Sequence, residues 1–159
     1  TDLYRIDGNE GIEIDFVKPN IEELNAYLEK HSISNVNEVF EKLRSHGVKH
    51  TIVTCGSQGA YLFDNANQST LYAQSTFNKQ GDEAIGSGDA FIGAFAASLA
   101  EKEDHTDALL KATAAGHSNI YHEGPGRIGE TFSDIKKNCN VAKINRAVAI
   151  DQLTKLLSK

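Results

Sequence analysis

The residues best suited to chemistry lie in one short glycine-rich stretch, residues 85–91, which reads IGSGDAF. Gly86, Ser87 and Gly88 precede Asp89, and the apolar run that follows predicts a helix with Asp89 in its first turn. Backbone N–H groups and the positive end of a helix dipole at such a turn form a cradle for a phosphate. A carboxylate beside a bound phosphate could act as the base that activates an attacking hydroxyl group. Asp89 could equally serve only to cap the helix, since Asp is favoured at helix N-termini.

Asn20 and Glu23 stand at the start of another predicted helix, directly after the Lys18-Pro19 pair that ends a strand. An Asn followed three residues later by a Glu is the pattern of a capping box, in which the two side chains only stabilise the helix end. The same oxygen atoms are of the type that holds a hydrated Mg²⁺ ion, which keeps several waters and needs few carboxylates. The residues alone leave both interpretations open.

A second glycine-containing turn, TCGSQG, follows a predicted strand. Ligands of open α/β sheets bind outside the carboxyl ends of strands, which makes this turn a candidate binding site. An ordinary turn is the alternative, since glycine pairs are common in loops. The turn runs from Thr54 to Gly59. Thr113, on a later helix, is either an exposed cap-like residue or part of the wall of a nucleotide pocket.

The elements that must position these residues follow from hydrophobic spacing. Apolar runs predict strands at residues 13–17, 51–54, 60–63 and 70–73, the last two as a hairpin. Helical spacing predicts helices at about residues 21–28, 36–46, 87–100, 106–119 and from Asn145 onward, with a tight loop at 124–126. The order of strands and helices is typical of an α/β layer with crossovers, so we predict an α/β fold.

Apolar residues also predict the buried faces of two helices, the one after the glycine-rich stretch and an amphipathic helix at the C-terminus. For the helix after the glycine-rich stretch, the predicted face is Phe91, Ile92, Ala94, Phe95, Ala97, Leu99 and Ala100. For the C-terminal helix, it is Ala147, Val148, Ile150, Leu153, Leu156 and Leu157.

Composition narrows the class of partner. A length of 159 residues fits one domain, and a net charge of −6 argues against a nucleic-acid surface or an anionic membrane as the main partner. A phosphate would therefore be bound by local amides or a metal rather than by the overall field. Cys55 and Cys139 are far apart with no secretory leader, which predicts free thiols and a cytoplasmic location. We find no zinc-ligand spacing and no apolar run long enough for a transmembrane helix.

Together, the motifs KPNIEE, TCGSQGAYLF and IGSGDAFIGAF, followed by an alanine-rich helix and a Gly-Pro-Gly loop, resemble the C-terminal half of a ribokinase-like sugar kinase of the phosphofructokinase-B family. The VKPN and GSGD forms are most similar to 1-phosphofructokinase and tagatose-6-phosphate kinase. The resemblance covers about residues 15–144, so we predict an ATP-binding, catalytic half domain at 1–144 and an extra helix, not a separate domain, at 145–159. It implies the C-terminal half of a three-layer ribokinase-like core, with a mixed sheet between helices.

The resemblance also implies a reaction, in which the γ-phosphoryl group of ATP moves to a hydroxyl of a sugar phosphate. Asp89 matches the family's catalytic base, and Gly86, Ser87 and Gly88 match its anion hole. Asn20 and Glu23 match the element that binds Mg²⁺ through water and contacts the phosphates. The matches to the nucleotide-binding positions are Thr54, Gly56, Ser57, Gly59 and Gly88, with Thr113 facing the adenine.

The chain departs from the family in length and near Glu83. Family members are about twice as long, and their N-terminal half holds the sugar-binding residues and a β-sheet lid. The chain alone is therefore expected to be inactive, and to form a homodimer or pair with a missing N-terminal half, because half a sheet leaves an edge and apolar faces open. Members that use a monovalent cation carry Asp and Thr near Glu83 and Ile85, and Ile85 lacks a side-chain oxygen, which argues against potassium activation.

Two other functions fit the same residues. The chain could be a nucleotide-binding or oligomerising module without chemistry of its own. It could also belong to a kinase of the same family that acts on ribose, a nucleoside or another sugar, because the residues that choose the acceptor lie outside this chain.

Overall fold

The structure is a computed structural model that describes residues 13–77, 85–121, 129 and 131–158. Its strands are β1 (Ile14–Val17), β2 (Val48–Thr54), β3 (Ala60–Asp64), β4 (Thr70–Ser75) and β5 (Cys139–Ile144). Its helices are α1 (Ile21–Lys30), α2 (Val36–Ser45), α3 (Ser87–Ala100), α4 (His105–Asn119), α5 (Phe132–Lys137) and α6 (Arg146–Leu157). The predicted tight loop at 124–126 lies outside the described residues. Within the described ranges, no helix is long and apolar enough to cross a membrane.

The strands form one mixed sheet in the order β1-β2-β3-β4-β5. β1 runs parallel to β2, with Phe16 opposite His50, whereas β2 and β3 are antiparallel, with Thr51 opposite Phe63. The α/β class predicted from the sequence, a mixed sheet with flanking helices, is therefore confirmed. β5 and the short helix α5 were not predicted, because the segment that contains them has no regular apolar spacing.

Most helices begin at a polar side chain that accepts hydrogen bonds from first-turn amides, an arrangement worth about 1 kcal/mol each. These capping residues are Asn20 for α1, Asn35 for α2, Asp104 for α4 and Asn145 for α6. α3 is different, because its N-cap residue is Gly86, in the left-handed region with φ 83°, and no side chain caps it.

Contacts divide the chain into two compact units. The first unit contains the described residues up to Gly56, Ala60–Tyr72 and the residues from Lys143 onward. The second unit contains Ser57–Gly59 and Ala73–Ala142.

The first unit has one hydrophobic core, to which α6 contributes. Its fully buried members include Leu24, Tyr27, Val39, Phe40, Leu43, Val53, Phe63, Ala149 and Leu153. The guanidinium carbon of Arg146 lies 5.3 Å from the ring centre of Phe40 and 5.2 Å from that of Phe63. Tyr61 Oη also donates a 2.9 Å hydrogen bond to Gln152 Oε1. The C-terminal helix is therefore an integral part of this core.

The second unit is built around the packing of α3 and α5 on α4. Its buried residues include Phe91, Phe95, Ala108, Leu109, Ala112 and Ala115. A smaller cluster joins Ala114 of α4, Ile135 of α5 and Cys139 of β5. Cys139 and Cys55 are both buried and free, as predicted.

The predicted buried faces of α3 and α6 were partly wrong. In α3 the buried residues are Ala90, Phe91, Phe95 and Ser98, whereas Ala97 and Ala100 are exposed. In α6 they are Ala149 and Leu153, whereas Ala147 and Val148 are exposed. α3 carries apolar residues nearly all round, so no polar side marks the face that meets solvent. In α6, Ala147 and Val148 lie one turn before the exposed Asp151 and Gln152, on the polar side of the helix.

Candidate active site

In the first unit, two predicted site residues meet where the parallel strands β1 and β2 end. Asn20 and Thr54 form a parallel backbone bridge just beyond these strands, and the Thr54 N–H donates a 3.1 Å hydrogen bond to the carbonyl of Pro19. The carboxyl ends of parallel strands are the usual place for a ligand in α/β proteins.

The capping box predicted at Asn20 and Glu23 is present. Glu23 N donates to Asn20 Oδ1 at 2.7 Å, and Asn20 N donates to Glu23 Oε2 at 2.8 Å. Glu23 is exposed, and the box uses its Oε2, which leaves Oε1 outside the box. In the described ranges, no three His, Cys, Asp or Glu side chains are placed together to hold a metal ion. A Mg²⁺ ion at this point fits only if phosphates and water complete its coordination, which is the usual arrangement for Mg²⁺.

The turn after β2 begins with Cys55 and Gly56. Gly56 has φ 55°, and a Cβ there would meet nothing within 4 Å, so the backbone faces open space. Burial, with a smaller effect of the negative charge on Glu22, raises the pKa of the Cys55 thiol to about 12. The thiol is therefore neutral near pH 7 and unsuited to nucleophilic or metal chemistry.

In the second unit, the same turn continues with Ser57, which is exposed, and Gly59. Gly59 has φ 88°, and a Cβ there would lie 2.1 Å from the carbonyl oxygen of Ala73. The close approach to β4 is a structural reason for glycine at this position. Nucleotide binding by Ser57 and Gly59 stays a prediction.

The start of α3 carries the glycine-rich stretch. The Ala90 N–H donates to the Gly86 carbonyl at 2.9 Å, which leaves the amides of Ser87, Gly88 and Asp89 without partners inside the helix. Asp89 is exposed in this first turn and does not cap the helix, because the N-cap residue is Gly86. The N-cap residue Gly86 supplies no side-chain cap, and Asp89 lies in the same turn as these amides. Phosphate binding at this turn stays a prediction.

α4 packs against this stretch in the second unit. The buried Asn119 donates from Nδ2 to the Ile85 carbonyl at 2.8 Å, a contact that no pattern in the sequence predicts. Thr113 is 8% exposed and donates from Oγ1 to Leu109 O at 2.8 Å, so it is not an exposed cap-like residue. Whether it faces an adenine stays a prediction. Burial lowers the pKa of His117, one turn further along α4, which keeps its ring neutral near pH 7.

Comparison with known proteins identifies the family. Residues 9–131 match the family model of the pfkB family carbohydrate kinases. The chain belongs to this family.

Solved structures agree with the family and define the fold of this pfkB chain as ribokinase-like. A protein described as a phosphofructokinase from Staphylococcus aureus matches with TM-score 0.68 and 20% identity over 84% of this chain and 43% of its own. Phosphofructokinase-2 from Escherichia coli in complex with potassium matches with TM-score 0.65 and 25% identity over 79% of this chain and 41% of its own. Ribokinase from Thermotoga maritima matches with TM-score 0.60 and 23% identity over 92% of this chain and 43% of its own. The chain thus spans less than half the length of each of these proteins.

Proposed function

We propose that this pfkB chain supplies the ATP-binding and catalytic half of a kinase that phosphorylates a hydroxyl group of a sugar phosphate. The observation that carries the proposal is the start of α3, where the N-cap residue is a glycine, no cap is recorded from a described side chain, and the exposed Asp89 lies in the first turn. Such amides suit an anion whose charge grows during a reaction, because they are fixed in place before it begins.

We assign the roles as the family resemblance implies. The acceptor oxygen attacks the γ-phosphorus of ATP, Asp89 takes the proton of the attacking hydroxyl group, and the bond to the β–γ bridging oxygen breaks to release ADP. The amides of Gly86, Ser87 and Gly88 stabilise the negative charge on the phosphoryl oxygens. Ser87 Oγ is buried and has no hydrogen-bond partner among the described residues, which also suits a polar ligand at this turn.

For the first unit by itself, the resemblance implies nucleotide and metal contacts. Asn20 and Thr54, already adjacent, would lie along the phosphates, and the exposed Gly56 turn would follow the nucleotide. Glu23 would hold Mg²⁺ through water by its Oε1, and the ion would neutralise charge on the phosphates.

The substrate we propose is a phosphorylated hexose, of the kind used by 1-phosphofructokinase and tagatose-6-phosphate kinase. Motif similarity supports this choice, as does the likeness to phosphofructokinases. The chain alone would be inactive, since it covers only 43% and 41% of these two phosphofructokinases. Among the described strands β1 pairs only with β2, so its other edge is open to a completing half or a second copy. Light scattering that gives a clean monomer would count against this association.

The test is Asp89→Asn in the completed kinase, meaning this chain together with the half that completes it. We expect turnover to fall by about a hundredfold to ten-thousandfold, the usual contribution of a general base, while Mg-ATP binding is not weakened. Asp107→Asn is the matched control, because Asp107 is an exposed acid in the first turn of α4 and should leave turnover unchanged. Retained turnover in Asp89→Asn removes Asp89 from the role of base.

A nucleotide-binding or oligomerising module is the second candidate, favoured by the partial coverage of every matched structure described above. Calorimetry of this chain with Mg-ATP, followed by phosphotransfer assays with fructose-1-phosphate and tagatose-6-phosphate, separates the two. Binding without transfer, even after addition of the completing half, supports the module. Transfer only to ribose, a nucleoside or another sugar in a wider panel would keep the reaction and change the substrate.

A further inference from the structure

The C-terminal end of α4 contacts the glycine-rich stretch through a side-chain hydrogen bond. Asn119 is the last residue of α4 and is fully buried, and its Nδ2 donates a 2.8 Å hydrogen bond to the carbonyl of Ile85. In contrast to this buried contact, the Ile85 side chain is 70% exposed. Asn119 therefore binds the backbone of this turn and not the Ile85 side chain.

The bond to Ile85 has a direct effect on the neighbouring amide. The Ile85 carbonyl and the Gly86 N–H belong to one planar peptide group, in which a trans bond makes C=O and N–H point in opposite directions. Because Asn119 draws the carbonyl toward α4, the Gly86 N–H is turned away from α4. Gly86 then enters the helix with φ 83°, a conformation that glycine adopts without strain.

Gly116, one turn earlier on α4, brings the same two helices into close contact. A Cβ at Gly116 would lie 3.1 Å from the carbonyl oxygen of Ser87 and 3.4 Å from Cβ of Phe91. The first turn of α3 thus rests directly on the backbone of α4. The N-cap residue of α3 is a glycine without a side-chain cap, and these contacts hold the first turn of α3 against α4.

We propose that Asn119, supported by Gly116, is a positioning residue for phosphoryl transfer. It sets the orientation of the Ile85–Gly86 peptide, so that the Gly86 N–H points at the transferring group, and it touches neither nucleotide nor sugar itself. This inference rests on the proposed function, because it assigns a purpose to the orientation of that amide.

The test compares Asn119→Ala with Ser118→Ala in the completed kinase. Ser118 is the matched control, since it is also fully buried in the last turn of α4 but contacts Thr131 and the Gly129 amide. We expect Asn119→Ala to lower kcat by about tenfold to a hundredfold, as misplaced catalytic groups do, with KM for the sugar phosphate within about twofold. Ser118→Ala should keep kcat within about twofold, whatever its effect on the melting temperature. Equal kcat in the two variants overturns the proposal.

Gly116→Ala adds a readout that a purely structural role would not move. Alanine stabilises a helix more than glycine does. The melting temperature should therefore not fall unless the contact of the new Cβ with the Ser87 carbonyl oxygen costs more than this stabilisation. The added methyl group should push the first turn of α3 and lower kcat by about tenfold or more. A variant as active as the wild type shows that the position of this turn does not limit the reaction, and contradicts the proposal.

A measurement without activity keeps this inference separate from the proposed function. The NMR signals of the Ile85 carbonyl and the Gly86 amide should shift in Asn119→Ala and stay in place in Ser118→Ala. If the wild-type protein transfers no phosphoryl group, the proposed function fails, and these signals alone decide whether Asn119 orients the peptide. Unchanged signals overturn the inference even in an active kinase.

Discussion

Replacing Glu23 by Gln separates its capping role from its proposed metal role. Gln keeps an oxygen that can accept the 2.8 Å hydrogen bond from Asn20 N, because Gln is as suitable as Glu at this position of a capping box. What is lost is one negative charge near the N-terminus of α1, worth about 0.5 kcal/mol at an exposed site. For a chain of this size, that corresponds to a melting-temperature change of about 1–2 °C.

The expected effect on the metal requirement is much larger. If Glu23 holds Mg²⁺ through water, removing its charge should raise the Mg²⁺ concentration for half-maximal rate by about tenfold, because losing a residue that contacts a metal through water commonly weakens metal binding by this factor. The assay is the phosphotransfer rate of the completed kinase against free Mg²⁺ at saturating ATP. Glu22→Gln is the matched control, since Glu22 is an exposed acid of the same turn outside the box.

Asn20→Ala completes the comparison from the capping side. It removes the Oδ1 that accepts from Glu23 N at 2.7 Å, and should lower the free energy of unfolding by about 1 kcal/mol. A Mg²⁺ requirement that is the same in Glu23→Gln, Glu22→Gln and the wild type refutes the metal role. Asn20 and Glu23 would then serve only to begin α1.

Three further results test the turn between β2 and β3. Gly59→Ala should destabilise the protein by more than the roughly 1–3 kcal/mol that strained backbone alone costs, because its Cβ would overlap the Ala73 carbonyl. Gly56→Ala, whose Cβ would face open space, should cost about 1 kcal/mol. Urea unfolding of the two variants measures the difference. The Cys55 thiol, with its pKa raised from 9.0 to about 12, should resist iodoacetamide at pH 8 until the chain unfolds, as judged by mass spectrometry. Well below pH 9 this thiol is protonated in both the folded and the unfolded protein. As the pH rises from 9 toward 12 it ionises first in the unfolded protein, so the free energy of unfolding should fall. This fall should be smaller in Cys55→Ala.

Local signals explain what could be predicted from the sequence. α1 and α2 have polar capping residues and a single apolar stripe, so their limits and their buried residues both follow from spacing. The glycine-rich start of α3 was equally predictable, because the conformation of Gly86 depends on the residue itself.

The missed features depend on contacts between distant parts of the chain. Asn119 meets Ile85 across 34 residues, and a single side-chain bond of this kind leaves no periodic pattern. The buried side of α3 depends on the surface that the helix meets, since apolar residues lie nearly all round it. β5, whose residues are mostly partly or fully exposed, lacks the apolar run that marks a buried strand.

The way α6 is anchored bears on where this polypeptide can be shortened. The family match ends at residue 131, and a truncation there, or after Ile144, looks harmless when only the family pattern is considered. Such a cut would remove the cation that stacks on two aromatic rings and the leucine that fills the space beside them. The cut would leave an exposed apolar surface that is prone to self-association. The smallest folding unit therefore extends beyond residue 131, where the family match ends.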